Sequence, residues 1–445
     1  MTCDFFANRN QNETIDIKFT NFVKNFNNII NMTKKSTLLT LVASAALFLC
    51  AACSNCSQDA KNSPFPELDQ WAREMVANRT NQIGYPVNQD NALKEFYKWF
   101  VANDLEMVAM NNVGNPFGAE SPLMSTHKYE VEALEFFRPL FGFDKDNFWG
   151  MMSSGGTDGN NHGIYFGVNY LRNSTGKMPI LYVSDEAHYS NMRLAHLQNL
   201  DLRLIKSDSM GRMIPAELEK ALDPTRPCLM VYAMGSTFKG AIDDQKALNE
   251  ILDKYPQMPV YRHVDAALFG GYLPFTQYRY MVDAKELRYN SIAISGHKFF
   301  GMDEPTGMIL TTKDVYDHQS NFDIPYLNQE MNMISCSRSA LSPLKLWWLT
   351  KTVGYDVWHV QAEAMIENTA YLKAELDKIG WPCWVNEYSN TVFMKRPAKE
   401  IIKKYYLACS HDDQFGGDLA HIVVMQHVTK EKIDALVADI KASAE

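Results

Sequence analysis

A lysine at the end of an apolar run is the first residue in this chain that could do covalent chemistry. The run is Ser291-Ile-Ala-Ile-Ser-Gly-His-Lys-Phe-Phe-Gly301, which sets Ser295, Gly296, His297 and Lys298 at or just past the end of a predicted buried strand. An amine held partly out of water there loses proton affinity and becomes a nucleophile toward a carbonyl. Taken alone, Lys298 reads first as an ordinary surface lysine after a strand, and only the other stretches overturn that. A second stretch, Gly150-Met-Met-Ser-Ser-Gly-Gly-Thr-Asp-Gly-Asn160, is a glycine-rich turn entering a predicted helix. Free N–H groups and the positive end of the helix dipole make such a turn an anion site, with phosphate the natural occupant. By itself it is also a plain helix start, and it is neither a Walker loop nor a G-x-G-x-x-G turn. Asp265, in Arg262-His-Val-Asp-Ala-Ala-Leu-Phe-Gly270, closes an apolar strand with an acid, which is costly unless the acid meets a cation. A helix N-cap is the bland alternative. A protonated pyridine nitrogen would be such a cation, and the pairing would keep the ring an electron sink. Amine, phosphate site and carboxylate together suit a Schiff base between Lys298 and pyridoxal phosphate (PLP). Ala266-Ala267 offers a small surface under the ring, and His188, in Asp185-Glu-Ala-His-Tyr-Ser190, could stack on its other face. His188 alone would be a satisfied core or surface histidine.

These residues need a frame that gathers strand ends. Strands are predicted at Pro179–Ser184, Leu202–Ser207, Cys228–Gly235, Val260–Asp265, Ser291–Gly296 and Gly307–Thr312. Helices are predicted from Thr157 through Tyr170, from Pro215 to Leu222 and from Gln245 to Lys254. This alternation implies an α/β fold with a mostly parallel sheet covered on both faces. Ligands gather at the carboxyl ends of such strands, and His188, Ser236-Thr237, Asp265 and Lys298 all fall near those ends. Upstream, helices are expected from Glu67 through Val76 and around Leu93 to Val101. Asn111–Phe117 is expected to be a loop by its Gly and Pro content. Tyr129–Phe141 is expected to be a helix with Val131, Leu134, Phe137 and Phe141 on its core face. From Leu344 a long helix, strands at Asn390–Lys395 and His421–Met425, and a helix capped by Thr429 make a small second domain.

Bulk properties narrow the function. The chain has 445 residues and a formal net charge of −9. That length suggests more than one folding unit, and the charge gives no basic footprint for nucleic acid. Lys34-Lys35 precedes an uncharged run that includes Leu38–Leu49 and ends at Ala51-Ala52-Cys53. This is the pattern of a secretory signal, too short and wrongly flanked for a membrane span. Cys53 resembles a lipoprotein cleavage site, with Cys50 where a Leu is usual. Met32 is then the expected initiator, with 1–31 an over-extended start and 32–56 the signal. The expected product is exported, either periplasmic or lipid-anchored, and cytoplasmic if the signal reading fails. Residues 57–115 form an N-terminal helical segment, 116–343 the large cofactor domain and 344–445 the small one. Cys50, Cys53 and Cys56 lack the fourth ligand of an iron–sulfur run, so no metal is expected. Cys228, Cys336, Cys383 and Cys409 do not read as a disulfide framework.

Several segments in order add up to a family resemblance. They are Ile83-Gly-Tyr-Pro86, Asn111-Asn-Val-Gly-Asn-Pro116, Gly155-Gly-Thr-Asp-Gly-Asn160, His188-Tyr-Ser190, Gly235–Asp244, His263–Gly270, Ser295–Gly301 and Gly417–Met425. From about Ile83 to its end the chain resembles the PLP-dependent group II decarboxylases, nearest the histidine and serine decarboxylase branch. The resemblance implies PLP fold type I, a homodimer with its active site at the interface, and loss of carbon dioxide from a small amino acid. Histidine is the first choice and serine or another polar or aromatic amino acid the alternative. A PLP-binding protein without turnover and a carbon–carbon lyase are further alternatives. It implies that Lys298 carries PLP, Asp265 pairs with the ring nitrogen, and His188 stacks on the ring and faces the substrate carboxylate. Gly156, Thr157, Ser295 and His297 would bind the phosphate and Ala267 would back the ring. Ser236 and Thr237 would help orient cofactor or substrate, with Tyr326 and Ser337 as substrate contacts. Tyr326, or solvent delivered past His188, would return the α-carbon proton. The chain departs from the branch where Cys336-Ser-Arg-Ser-Ala-Leu341 replaces Gly-Ser-Arg-Asn-Gly-His, in the loop Ile324–Ile334, and at Met302-Asp-Glu-Pro-Thr-Gly307. The first two lie where substrate and partner-subunit contacts are expected, which leaves the substrate open.

Overall fold

The computed structural model describes residues 63–118, 124–320, 322–325 and 329–444. The signal-like segment, Cys50, Cys53, Cys56 and Tyr326 lie outside them. The chain divides into two units after Glu74. Of the first, the described part is Ser63–Glu74, which includes most of helix Pro66–Asn78.

The second unit is organised by a seven-stranded sheet. Short β1 (Asn111–Val113) stands apart from it and pairs elsewhere. The sheet strands are β2 (Trp149–Ser153), β3 (Ile180–Ser184), β4 (Asp201–Ile205), β5 (Cys228–Ala233), β6 (Val260–Asp265), β7 (Ser291–Ser295) and β8 (Gly307–Thr311). Their spatial order is β2-β8-β7-β6-β5-β3-β4. β8 runs antiparallel to both neighbours, and the pairs from β7 across to β4 are parallel. The runs Cys228–Ala233 and Ser291–Ser295 are buried at every position, as expected of strands covered on both faces. β2, not predicted from the sequence, runs in the same direction as β7. Its glycine and two methionines carry little of the β-branched signal that marks a strand.

Helix Gly156–Thr175 lies across β6, β7 and β8, and glycines let it come close. A Cβ on Gly163 would stand 2.2 Å from the His263 ring, and one on Gly167 would stand 2.3 Å from Leu229 Cδ1. Gly163→Ala therefore drives a methyl into a ring that is itself fixed. His263 Nε2 meets Asn160 Oδ1 at 3.0 Å and Nδ1 meets Ser291 Oγ at 2.8 Å. Overpacking of this kind costs about 1–3 kcal/mol, so a lowered thermal midpoint is expected for Gly163→Ala. An unchanged melting curve would show that the helix can move away at no cost.

After β8, β9 (Phe322–Ile324) and β10 (Gln329–Met331) form a two-stranded pair, and β11 (Ser337–Ser339) pairs with β1. Asn111–Phe117, expected to be a loop, thus begins as a strand. Its pairing partner lies more than 200 residues away in sequence, and no local pattern signals it. Arg338 joins this ribbon to the core through a buried ion pair with Glu130 and bonds to Met152 O at 3.1 Å and Gly114 O at 3.0 Å. The helix predicted at Tyr129–Phe141 is an α-helix over His127–Phe137 followed by a 3-10 turn to Phe141. Leu134, Phe137 and Phe141 are buried on it, and Val131 is half-buried.

Helices Leu341–Thr352 and Gly354–Lys378 lead to a four-stranded antiparallel sheet. Its strands are β12 (Cys383–Val385), β13 (Thr391–Lys395), β14 (Ala408–Asp412) and β15 (Gly417–Val423), in the order β12-β13-β15-β14. Two of these strands, β12 and β14, escape the sequence reading because they are short or polar edge strands. Helix Lys430–Ala444 closes the sheet with Ile433, Leu436, Val437 and Ile440 buried. Cys228 and Cys383 are buried thiols, Cys336 and Cys409 are exposed, and all four are free.

Candidate active site

The carboxyl ends of β3, β5, β6 and β7, with the end of β2, surround a cavity of about 380 Å³. Gly156, Thr157, His188, Ser236, Thr237, Asp265, Ala267, Ser295, His297 and Lys298 all line it. The structure thus brings together residues spread over more than 140 positions. Ser337 is not among them. It sits on β11, takes a bond from Asn111 Nδ2 at 3.0 Å, and lines a separate cavity of about 290 Å³ with Asp158, Glu304 and Ser342. The β1–β11 pairing holds it there, so within one chain it makes no contact with the Lys298 cavity.

Local geometry sets each group. Lys298 follows β7 in a tight turn, and desolvation lowers its amine's proton affinity, with the Asp265 charge opposing part of that shift. Asp265 ends β6, is 7 % exposed, and accepts from Asn191 Nδ2 at 3.0 Å. Asn191 is fully buried and also donates to His188 O at 3.3 Å, which ties the His188 loop to the carboxylate. His188 Nδ1 accepts the backbone N–H of Ser190 at 3.3 Å and lies 2.7 Å from Ser190 Oγ. An obligatory donor at Nδ1 leaves Nε2 as the protonated nitrogen of the neutral ring. Burial lowers the ring's pKa from 6.5; Asp265 opposes this and Lys298 adds to it.

The end of the cavity expected to take a phosphate lies at the start of helix Gly156–Thr175. Gly155 adopts φ 142°, a conformation side-chain-bearing residues rarely take, and the first helical N–H groups lack intrahelical acceptors. A Cβ on Gly156 would stand 2.6 Å from Ser295 Oγ and 3.2 Å from Ala267 Cβ. Only a glycine leaves this floor flat. Asp158 shapes the turn from its outer side by accepting from Ser154 N at 2.9 Å and meeting His162 at 3.2 Å. Burial works against its charge, but those partners prevail and hold its pKa at about 2. His297 packs against Thr306, and burial lowers its pKa.

The far wall is aromatic. Tyr85, Pro86, Phe238 and His421 line the same cavity. Phe238 stacks on His421 at 4.6 Å and 17°. None of these four was read as a site residue. Tyr85-Pro86, Phe238 and His421 all sat within segments matched to the family, but nothing in their spacing marks them as cavity wall. Asn191 was likewise missed one residue past His188-Tyr-Ser190.

This donor set fits PLP. One end offers helix N–H groups, a serine hydroxyl and an imidazole for a phosphate. The other offers a carboxylate for a ring nitrogen, with a methyl and an imidazole near the ring and a desolvated amine for the aldehyde. A family model for the pyridoxal-dependent decarboxylase conserved domain matches residues 169–385. A histidine decarboxylase from Solanum lycopersicum is 31% identical over 392 residues, spanning 86% of this chain and 91% of that protein. Serine decarboxylase 3 of Oryza sativa subsp. japonica is 32% identical over 383 residues, spanning 85% and 82%. The chain belongs to the pyridoxal-dependent decarboxylases. The solved L-methionine decarboxylase of Streptomyces sp.590 shares its fold, with a TM-score of 0.71 at 21% identity over 84% of this chain and 93% of that one. The enzyme is therefore an amino acid carboxy-lyase of PLP fold type I with PLP as its cofactor.

Proposed function

We propose that the enzyme converts L-histidine to histamine and carbon dioxide. The observation that supports histidine is the aromatic wall of the cavity, where Tyr85 and the stacked Phe238–His421 pair offer flat faces to a ring. Aromatic pairs are worth about 0.5–1.5 kcal/mol beyond the area they bury, and an imidazole side chain can collect that energy. Serine remains the second reading, because the serine decarboxylases of rice are as similar to this chain as the tomato histidine decarboxylase. Purified enzyme given equal concentrations of histidine and serine should release mainly histamine. Ethanolamine as the dominant product would replace histidine with serine, and aldehyde in place of amine would change the reaction class. A bound chromophore with no product from any amino acid would leave a binding protein without turnover.

In this reading Lys298 anchors the cofactor, Asp265 faces its ring nitrogen, and His188 and Ala267 flank the ring. Gly156, Thr157, Ser295 and His297 hold the phosphate. When bound, PLP supplies the electron sink that accepts the pair left by departing carbon dioxide. Asp265 keeps the ring nitrogen protonated, and Asn191 holds the carboxylate to that task. His188, neutral with Nε2–H available, donates to the substrate carboxylate and fixes its direction. Ser236 and Thr237, which line the same cavity, help orient cofactor or substrate. Tyr326, or water passing His188, returns the α-carbon proton.

The His188 assignment has a pH signature. The ring is neutral above a pKa that lies below 6.5 and gains a charge as pH falls through it. kcat/KM is expected to hold steady near neutrality and to fall along an acid limb with its midpoint below 6.5. His188→Gln should lower kcat by about tenfold to a hundredfold and remove that limb. A limb that survives in the variant belongs to another group.

The same reading makes the enzyme a homodimer in which the divergent 324–341 region of one subunit serves the other. Light scattering of the purified chain at monomer mass would overturn it. Export by the segment 32–56 is likewise proposed, and cell fractionation tests it.

A further inference from the structure

The turn that carries Lys298 is gripped by residues that do not line its cavity. Asn88 N donates to Lys298 O at 3.3 Å, and Asn88 Nδ2 donates to Phe299 O at 3.1 Å. Gln426 Nε2 donates to the same Phe299 O at 2.8 Å. Phe299 O thus uses both of its lone pairs, and the Phe299–Phe300 peptide plane, one residue past the lysine's own, is fixed from two sides. Asn88 is 7 % exposed and its own Oδ1 accepts from Asp90 N at 2.8 Å, so its amide orientation is set.

Both grips come from elements anchored on the small sheet. Gln426 follows β15. Its neighbour His427 clasps the two ends of the strap Gln82–Gln89, with Nε2 at 3.1 Å from Gln82 O and Nδ1 accepting from Gln89 N at 3.3 Å. Within the strap, Ile83 pairs with Val423 and Tyr405 through backbone bonds of 2.8 and 3.2 Å. Gly84 lies so close that a Cβ would stand 2.3 Å from Tyr406 O. Tyr85 and Pro86 of the same strap form cavity wall, and Asn88 follows two residues later.

The turn also has an apolar anchor of its own. Phe299 and Phe300 are buried, with Phe300 against Phe137 and Trp358 at 5.1 Å each. That apolar anchor keeps the turn in place without the amides. What the amides add is direction. A lysine side chain has a flexible stem, so the backbone from which it starts sets the region its amine can reach.

We propose that Asn88 and Gln426 are positioning residues for Lys298, holding its backbone so that the amine points at the cofactor aldehyde. This rests on the reading of Lys298 as the cofactor-bearing amine, and the test separates the two. Apo-protein is mixed with pyridoxal phosphate, trapped with borohydride at timed intervals across a pH series, and the tag on Lys298 is measured by mass spectrometry. Asn88→Ala and Gln426→Leu should each slow tagging by about tenfold and shift the pH at which it is half-maximal. The double variant should be slower still, while thermal midpoints stay close to wild type. Asn88→Ser keeps a short side-chain acceptor for Asp90 N, adds no charge and is too short to donate to Phe299 O, so it replaces the alanine variant should that one fail to fold. Wild-type tagging rates and pH midpoints in the variants would overturn the inference, as would a slowing that matches only the loss of folded protein. Wild-type protein without a tag on Lys298 would instead overturn the functional reading on which it rests.

Discussion

Lys298→Ala is expected to cut amine release by at least about a thousandfold, the scale seen when a covalent group is removed from a concerted site. The cavity contains Lys298 as its single lysine among the described residues, so no neighbouring amine can take over. The loss should be specific. The flanking Phe299 and Phe300 rings keep the turn packed, and the thermal midpoint should stay near that of wild type. Lys298→Arg should fare no better, because a guanidinium does not deprotonate in a protein and offers no nucleophile. Carbon dioxide release and borohydride tagging measure the two sides of this expectation. A Lys298→Ala protein that turns over at a tenth of the wild-type rate, or takes up the tag elsewhere, would remove the amine from the mechanism. The pH dependence follows from the same desolvation. Because the amine's pKa lies below its ordinary 10.5, the free amine of the apo-protein becomes reactive at lower pH than a surface lysine would.

How much of this was legible in the chain depends on how far apart the interacting residues lie. The long apolar runs Cys228–Ala233 and Ser291–Ser295 announced the central sheet, and Lys298 and Asp265 stood at strand ends where an amine and an acid needed a reason. Family segments supplied His188, Gly156 and Ser295, and all of these meet in one cavity. The sequence was silent where meaning comes from a partner far along the chain. Nothing near Asn191 indicates that its amide reaches Asp265, 74 positions on. Nothing near Asn88 points to Phe299, 211 positions on. Asn111–Val113 looked like a loop because its strand partner is Ser337–Ser339. Ser337-Arg338 is a different case. The pair survives from a family stretch tied to substrate contacts, yet Arg338 is spent on Glu130 and two carbonyls, and Ser337 faces another cavity. Retention of a residue type across a divergent stretch can mark a buried charge that needs its partner, since breaking such a pair is costly.

Asp265→Asn is the second large effect. The substitution keeps size and shape at the end of β6, and the amide oxygen can still accept from Asn191 Nδ2, now 3.0 Å from the carboxylate. On the proposed assignment it removes the negative charge that would hold the cofactor's ring nitrogen protonated. Electrostatic groups aimed at charge that develops in a transition state are worth roughly a hundredfold to a thousandfold in kcat when one is deleted, and a drop of that order is expected here. KM for the amino acid should change far less, because the carboxylate acts on the ring and not on the substrate's own groups. The tag on Lys298 should persist, since the amine is untouched. That combination of low kcat, little change in KM and an intact tag separates loss of ring protonation from collapse of the cavity, which would impair all three. Asn191→Ala tests the same carboxylate from behind. Asn191 is fully buried and is the donor that orients Asp265, so its loss should reproduce the kcat phenotype in weaker form. Should Asp265→Asn retain wild-type kcat, the ring nitrogen would have to draw its proton from another group, and among the described residues that line the cavity no second carboxylate is available to hold it.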